Sequence, residues 1–202
     1  LQWAGKNSEV SQLATWKPFE DDSCAWFDSV WMFGVKEGFD VVLGNPPYVR
    51  QEAIKAIKPQ LKAEFQKFFC GTADLYTYFF HKGLQLTKEN GHLCYIAPNK
   101  FMRAGYGKNT RQLLVTEATP KIVIDFGDSP VFEQTTYPAI VLLEKTLSPA
   151  NGSNQILVTA IQTAEEIGQI AKVLQHRGFS MSLSDLSVDS WTLENPTVLN
   201  LL

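Results

Sequence analysis

Residues 39–49 read FDVVLGNPPYV, an apolar run followed at once by a loop with two consecutive prolines. The run at 39–44 is rich in β-branched residues and predicts a buried parallel strand. Two prolines in a row cannot continue a helix or a central strand, and each one restricts the residue before it to extended backbone. The sequence therefore predicts a stiff loop at residues 45–48, at the carboxyl end of a buried strand.

The segments after this loop alternate between strand and helix patterns. Further strands are predicted at 92–97, 121–126, 139–144 and 156–161. Helices are predicted at 52–69, with a break near Pro59, and at 72–88, 106–117 and 164–175. This alternation is typical of a Rossmann-like, doubly wound α/β sheet that is mostly parallel. We expect the strands at 121–126 and 139–144 to form a C-terminal antiparallel pair, and the first half of the sheet to lie upstream of Leu1.

Two local signals refine these predictions. Thr72 is a suitable N-cap for the helix at 72–88, and Glu89-Asn90-Gly91 is suited to end it. The aromatic segment at 26–34, WFDSVWMFG, is too apolar for a free linker, and we expect it to pack over the sheet.

Length and composition restrict the class of protein. The 202 residues are 45% hydrophobic and 19% charged, which indicates a folded globular chain rather than a disordered one. A formal net charge of −3 gives no overall attraction to nucleic acid, and no apolar run approaches membrane-spanning length. The three histidines lack the spacing of metal ligands, so no metal site is predicted. The chain begins at Leu1 without a signal sequence, and we expect it to be a piece of a larger protein.

Positively charged residues occur in two groups despite the acidic balance. They are Arg50, Lys55, Lys58, Lys62 and Lys67, followed by Lys100, Arg103, Lys108 and Arg111. Charged residues of this kind usually lie on solvated faces of helices, and we interpret these residues in that way. If the protein binds DNA, part of the electrostatic attraction is expected to come from residues outside this chain.

The loop at residues 45–48 offers the groups that hold a planar amine. Asn45 has a side-chain carbonyl, Pro46 a backbone carbonyl, and Tyr48 a flat ring. Two acceptors can take both hydrogens of an exocyclic NH2 and direct the nitrogen lone pair towards an electrophile. They also stabilise the positive charge that develops on the nitrogen, and the rigid prolines limit the reorganisation that this requires. Such a site needs no ionised general base, because the proton can leave after the new bond has formed.

Several stretches of the chain resemble the N6-adenine DNA methyltransferases of the γ arrangement, and in particular the type IIG restriction–modification enzymes. The tetrapeptide NPPY matches their catalytic motif, and WFDSVWMFGVKEGFDVVLGNPPYV at 26–49 resembles the longer signature of that group. Asp74-Leu75-Tyr76 matches the helix start that follows, and GHLCYIAPNKF at 91–101 resembles the next strand and loop. PVFEQTTYPAIVLLEK at 130–145 resembles the motif whose aromatic residue faces the target base.

The resemblance implies a role for each residue of the motif. Asn45 and Pro46 would hold the adenine amino group, and Tyr48 and Phe132 would stack on the base. That base would have to be extruded from the double helix, since its reacting atom is inaccessible inside the duplex. For Phe132 the alternative of a plain hydrophobic anchor stays open.

The resemblance also implies S-adenosylmethionine as the cofactor, with Pro47, Leu75 and Phe79 lining the pocket of its adenine. Alternatively, Leu75 and Phe79 are ordinary core residues of the helix and do not contact the cofactor. The family's glycine-rich cofactor loop and acidic ribose ligand precede the catalytic motif, and neither is found in this sequence. We therefore expect the piece to be inactive alone, with residues 1–149 as the C-terminal part of the catalytic domain. Residues 150–202 would be a linker and the start of a target-recognition region.

The expected partners follow from the same resemblance. They are double-stranded DNA, the N-terminal half of the catalytic domain and a C-terminal recognition domain of the same chain. Widely spaced cysteines without a CxxC pair favour the reducing cytoplasm, here of a prokaryote. An open sheet edge also suggests an edge-strand dimer. The alternative functions are methylation of RNA adenine or of a protein glutamine amide, or a non-catalytic nucleic-acid-binding scaffold with the same fold.

Overall fold

The structure is a computed structural model that describes residues 28–133, 136–146 and 155–194, together with Ser11 and Ala14. The chain forms two compact units, Leu1–Lys36 and Glu37–Leu202. Each unit is described by itself below.

The described part of the first unit contains one short helix, α1 (Ser29–Phe33). The Asp28 carboxylate caps it by accepting the N–H groups of Val30 and Trp31, both at 2.9 Å. Gly34 ends the helix with a φ of 70°, a left-handed conformation that favours glycine. Part of the aromatic segment at 26–34 is thus helical, Trp26 and Phe27 lie outside the described residues, and the packing of this segment over the sheet stays a prediction.

The described residues of the second unit form a six-stranded sheet in the order β1-β2-β4-β3-β5-β6. The strands are β1 (Phe39–Gly44), β2 (Thr87–Pro98), β3 (Ala118–Asp125), β4 (Pro138–Lys145), β5 (Gln155–Ala160) and β6 (Phe179–Ser182). The pairs β1/β2 and β3/β5 are parallel, and the pairs β2/β4, β3/β4 and β5/β6 are antiparallel. Four strands therefore run in one direction, with β4 and β6 reversed, which confirms the mostly parallel α/β sheet and the antiparallel pairing of β3 with β4.

Four further helices in the described residues accompany the sheet. They are α2 (Lys58–Phe65), α3 (Leu75–Leu86), α4 (Lys108–Thr116) and α5 (Ile170–Arg177). Pro59 lies in the first turn of α2 and does not interrupt it, because the first turn needs no N–H from that residue. The predicted helix at 164–175 is replaced by a 3-10 segment, Ala164–Gln169, and then by α5.

Helix α3 is shorter than the sequence pattern predicts, and the strand after it is longer. The N-cap residue is Asp74 rather than Thr72, and the helix ends at Leu86. Strand β2 begins directly at Thr87, where Thr87 pairs with Phe39 of β1. The predicted end at 89–91 and the predicted strand start at 92 are therefore wrong, because pairing with β1 extends β2 beyond its apolar run.

The main core lies between the sheet and the helices α3 and α4. Its fully buried side chains come from α3, α4 and the central strands, and they include Tyr76, Phe80, Leu84, Leu93, Leu113, Leu114, Val141 and Leu143. Trp191, which follows the last strand, is fully buried in the same core. The C-terminal segment therefore contributes directly to the stability of the sheet.

The predicted boundary at residue 149 does not separate two compact units. Strand β5 pairs with β3 in register from Ile122 with Leu157 to Asp125 with Ala160. Residues 155–194 thus continue the sheet and its core. That residues 150–202 form a linker and the start of a target-recognition region stays a prediction.

Strand β1 lies at one edge of the sheet, and no strand covers its outer side among the described residues. Its side chains Val41 and Leu43 are exposed, Leu43 to 73%. An apolar strand with an unpaired edge favours pairing with another strand. Both the upstream half of the sheet and the edge-strand dimer stay predictions for this edge.

The backbone at Gly107, next to α4, approaches Phe101 closely, and this leads to a testable prediction for stability. A Cβ atom at Gly107 would overlap the carbonyl oxygen of Phe101, whereas a Cβ at Gly105 would meet no atom within 4 Å. We expect Gly107→Ala to lower the free energy of unfolding by about 2–4 kcal/mol, because backbone atoms must move. Gly105→Ala is the matched control and should change it little. Urea unfolding measures both variants, and equal stabilities would contradict the predicted overlap.

Candidate active site

The site begins where β1 ends, at Gly44. A side chain at this position would collide with the ring of Tyr95, since a Cβ would lie 2.8 Å from the Cε1 atom of Tyr95. The chain then leaves the sheet, with Pro46 buried and with Asn45 and Pro47 exposed. The buried proline fixes the loop against the protein and leaves its two neighbours at the surface.

Hydrogen bonds from the start of α3 hold this loop in place. The N–H of Leu75 donates to the carbonyl of Val49 at 2.9 Å, and the N–H of Gln51 donates to the Asp74 carboxylate at 2.9 Å. Within the loop, the N–H of Val49 donates to the carbonyl of Pro47 at 3.0 Å. The sequence indicated Asp74 only as part of a helix start, and its role as an anchor of the loop was missed because the two segments are distant in sequence.

Two acceptors of the loop remain available for a ligand. The carbonyls of Pro47 and Val49 are both used inside the protein. By contrast, neither the Asn45 side chain nor the Pro46 carbonyl accepts a hydrogen bond from the described residues. The structure therefore leaves free the two acceptors that the sequence predicted for holding an amine.

A cavity of about 350 Å³ opens beside these acceptors, and we call it the base cavity. It is lined by Asn45, Pro46, Pro47, Tyr48, Phe132, Glu133 and Thr136. The loop after β1 forms one wall, and the segment before β4 forms the other. The structure thus brings Phe132 to the tetrapeptide, although 84 positions of sequence separate Tyr48 from Phe132.

The two aromatic rings of the base cavity meet edge to face. The ring centroids of Tyr48 and Phe132 are 5.6 Å apart, and their planes are inclined by 85°. A flat base can stack on one of these rings while it meets the edge of the other. Stacking on both at once would require one ring to turn.

The hydroxyl of Tyr48 is buried and has no hydrogen-bond partner among the described residues. Burial raises the pKa of Tyr48 to about 12. The neutral phenol is favoured in the folded protein, so Tyr48 presents an uncharged ring at neutral pH. An uncharged ring suits stacking on a neutral base. The Tyr48 hydroxyl remains a hydrogen-bond donor without an acceptor in the described residues.

The structure places the three residues predicted to hold a cofactor in two positions. Pro47 lines the base cavity, whereas Leu75 and Phe79 lie one turn apart on α3 and line none of the cavities described in this section. Phe79 is 37% exposed, and Leu75 packs on a small core cluster around Tyr78. A partly uncovered apolar stripe on α3 fits a flat apolar ligand, while the packing of Leu75 also fits helix core.

Of two smaller cavities, the first shares lining residues with the base cavity, and the second shares Lys100 with the first. The side cavity, of about 150 Å³, is lined by Tyr48, Arg50, Asp74, Tyr76, Pro98, Lys100, Thr136 and Tyr137. The C-terminal cavity, of about 260 Å³, is lined by residues that include Asn99, Lys100, Arg103 and Trp191. The sequence pattern predicted Arg50 and Lys100 on solvated helix faces, yet the structure places both at one cavity. No signal in the sequence alone brings them together.

Across residues 28–133, 136–146 and 155–194, no group of three or more His, Cys, Asp or Glu side chains is placed to bind a metal ion. None of the helices in these ranges combines the length and the apolar character needed to cross a membrane.

Solved structures with a similar fold include proteins of restriction–modification systems. The type I methyltransferase subunit from Streptococcus thermophilus has a TM-score of 0.55 at 19% identity, over 84% of this chain and 40% of that one. The ATP-dependent type ISP enzyme LlaBIII, solved bound to DNA, has a TM-score of 0.57 at 14% identity, over 80% of this chain and 13% of that one. At such identities the likeness shows the fold alone.

Relatives by sequence and the family match identify the chain more closely. It is 33% identical over 116 residues to the type II restriction enzyme and methyltransferase RM.Eco57I of Escherichia coli. It is 34% identical over 141 residues to the type II methyltransferase M.XhoI of Xanthomonas vasicola. The matches cover 53% and 67% of this chain, which spans only 11% and 26% of those proteins. Residues 4–132, more than half of the chain, match the family profile, and the chain belongs to the Eco57I restriction-modification methylase family.

Proposed function

We propose that the complete protein containing this chain methylates the exocyclic N6 amine of adenine in double-stranded DNA. The observation that carries the proposal is the base cavity, in which two unused acceptors lie beside two aromatic rings. The catalytic residues would be Asn45, Pro46 and Tyr48, with Phe132 as the second ring that contacts the base. Residues of these types, placed at the carboxyl end of a strand, suit a planar heterocycle that carries an amine.

The chain's own groups would act on the amine and on its ring. The Asn45 side-chain carbonyl and the Pro46 backbone carbonyl would each accept one N–H of the amine. Together they would favour a tetrahedral nitrogen and stabilise its developing positive charge. The loop is held by α3 through Leu75 and Asp74, so little reorganisation would be needed during the reaction.

S-adenosylmethionine, when bound, would supply an electrophilic methyl group. Pro47 borders the base cavity, and the apolar stripe of Leu75 and Phe79 on α3 fits the flat adenine of that cofactor. These residues would hold and orient one end of the cofactor. The rest of its binding site is proposed to lie in the N-terminal half of the catalytic domain.

The substrate class rests on the kind of protein to which this chain is related. Its relatives are named as a type II restriction enzyme and methyltransferase and as a type II methyltransferase, and the LlaBIII enzyme of similar fold was solved bound to DNA. These names support DNA over RNA or a protein amide. A location in the prokaryotic cytoplasm, where such DNA is accessible, is part of the same proposal.

The test uses the complete gene product, expressed in a host that lacks DNA methylation. We expect sequencing of the host DNA to find N6-methyladenine at one short motif. Purified protein should also transfer a labelled methyl group from S-adenosylmethionine to a duplex that contains this motif.

Other outcomes would change the proposal in defined ways. If the motif contained N4-methylcytosine, the proposed methylation of an exocyclic amine would stand, but the target base would be cytosine instead of adenine. Unmethylated DNA together with methylated RNA or glutamine would exclude DNA as the substrate. A well-folded protein that methylates none of these would contradict the assignment of the base cavity.

A further inference from the structure

Two positively charged side chains line the side cavity, and neither forms an ion pair with the described residues. Arg50 and Lys100 both line it, and neither lies within 4 Å of a carboxylate in the described part of the chain. By comparison, Lys82, Lys88, Lys108, Lys121 and Arg177 all form ion pairs on this protein. Both side chains are exposed and available to a ligand in solution.

The only carboxylate that lines the side cavity is already engaged. Asp74 accepts the N–H of Gln51 at 2.9 Å and thereby holds the loop. With Asp74 counted, the lining of the side cavity retains a net charge of +1. This surface therefore attracts an anion, even though the chain as a whole carries a formal charge of −3.

The side cavity adjoins the base cavity, because Tyr48 and Thr136 line both of them. The Tyr48 hydroxyl is buried without a partner in the described residues. A nucleotide whose base enters the base cavity must place its sugar and phosphates beside that cavity, since they are covalently joined. The volume of about 150 Å³ is less than half that of the base cavity, which suits one small anion rather than a second ring.

We propose that Arg50 and Lys100 form a phosphate site that binds a phosphodiester group next to the extruded nucleotide. The proposal rests on the proposed function, because it needs a nucleotide in the base cavity. Arg50 supplies a planar fork of N–H donors and Lys100 a point charge, and both are common ligands of phosphate. The site would fix the position of the DNA backbone while the base is out of the helix.

The first experiment measures the binding of the complete protein to a duplex with its methylation motif, from about 50 to 200 mM salt. Each neutralised phosphate contributes roughly 0.9 to the slope of log K against log salt. We expect Arg50→Ala/Lys100→Ala to bind roughly 10- to 100-fold more weakly at low salt, with a slope shallower by about one. The matched control, Lys55→Ala/Lys62→Ala, removes two exposed cations outside the described cavities and should keep the wild-type slope.

The second experiment locates the phosphate. One duplex carries a neutral methylphosphonate on the 5′ side of the target adenine, and another carries it on the 3′ side. We expect one of the two duplexes to weaken wild-type binding as much as the double substitution does. The double variant should lose nothing further on that duplex, because the contact is already absent.

These outcomes separate the phosphate site from the proposed function. A wild-type protein that methylates no DNA would overturn both. Methylation by the wild type, with an unchanged salt slope in Arg50→Ala/Lys100→Ala, would overturn the phosphate site alone. The phosphate site would also be overturned if Lys55→Ala/Lys62→Ala changed the salt slope as much as Arg50→Ala/Lys100→Ala. The same holds if Arg50→Ala/Lys100→Ala lost further affinity on both methylphosphonate duplexes.

Discussion

Asn45→Ala should abolish most methyl transfer while leaving the protein folded. The substitution removes one of the two unused acceptors beside the base cavity, and only the Pro46 carbonyl remains. Loss of one preorganised dipole at a developing charge typically lowers the rate by roughly 10²–10³-fold. We therefore expect the N6-methyladenine content of the host DNA to fall to the background, and single-turnover transfer by the purified protein to slow by that factor.

Two controls separate chemistry from folding in this prediction. The Asn45 side chain is exposed, so Asn45→Ala should change the free energy of unfolding by no more than about 0.5 kcal/mol. Asn45→Asp keeps a side-chain oxygen as acceptor and should retain more activity than the alanine variant. Wild-type rates in Asn45→Ala would show that this acceptor does not act on the amine.

The second large effect is expected at Arg111, which is 1% exposed. Its guanidinium donates to the carbonyls of Phe101 and Ala104 on one side, the latter at 2.9 Å. On the other side it donates to the carbonyls of Val188 at 2.8 Å and Asp189 at 2.7 Å. The sequence pattern predicted Arg111 on a solvated helix face, and this prediction is wrong because α4 turns that side chain into the protein.

Arg111→Met should lower the free energy of unfolding by about 3–5 kcal/mol, because buried carbonyls lose a charged donor. The same change should loosen the C-terminal segment, which is also held by the backbone N–H of Trp191 donating to the Met102 carbonyl at 2.8 Å. Urea unfolding measures the loss, and hydrogen exchange at residues 188–191 should become faster.

A neighbouring arginine provides the control for Arg111→Met. Arg103 is exposed and lies close to the same segment, so Arg103→Met removes an equal charge with little expected change in stability. If Arg111→Met and Arg103→Met unfold at the same urea concentration, Arg111 does not fasten the C-terminal segment.

The sequence was informative where neighbouring residues decide the structure. The β-branched run Phe39–Gly44 and the two prolines after it predicted the strand and the loop, and both are present. The predicted burial of this strand is wrong, because β1 lies at the sheet edge and exposes Val41 and Leu43 in the described residues. The apolar pattern at 72–88 predicted α3 in the right place, with its ends displaced by a few residues. Such features depend on local backbone preferences and on the period of apolar side chains, which a single segment displays by itself.

Other features depended on contacts between distant segments. The sequence predicted that β3 and β4 could pair, but only the structure places β4 between β2 and β3. That position brings Phe132, on the segment before β4, to within 5.6 Å of the Tyr48 ring. The resemblance to a family predicted Phe132 as a site residue, and the strand order explains why Phe132 lies beside Tyr48.

The sequence by itself determined the α/β class and the strand with its stiff loop, and it predicted the chemistry of an amine held by two acceptors. The tertiary structure alone decided that Asp74 anchors the loop, that Arg50 and Lys100 share a cavity, and that Arg111 is buried. The reason is physical. A charged side chain has the same local preference on a solvated face as in a cavity or a core, and only packing between distant segments distinguishes these positions.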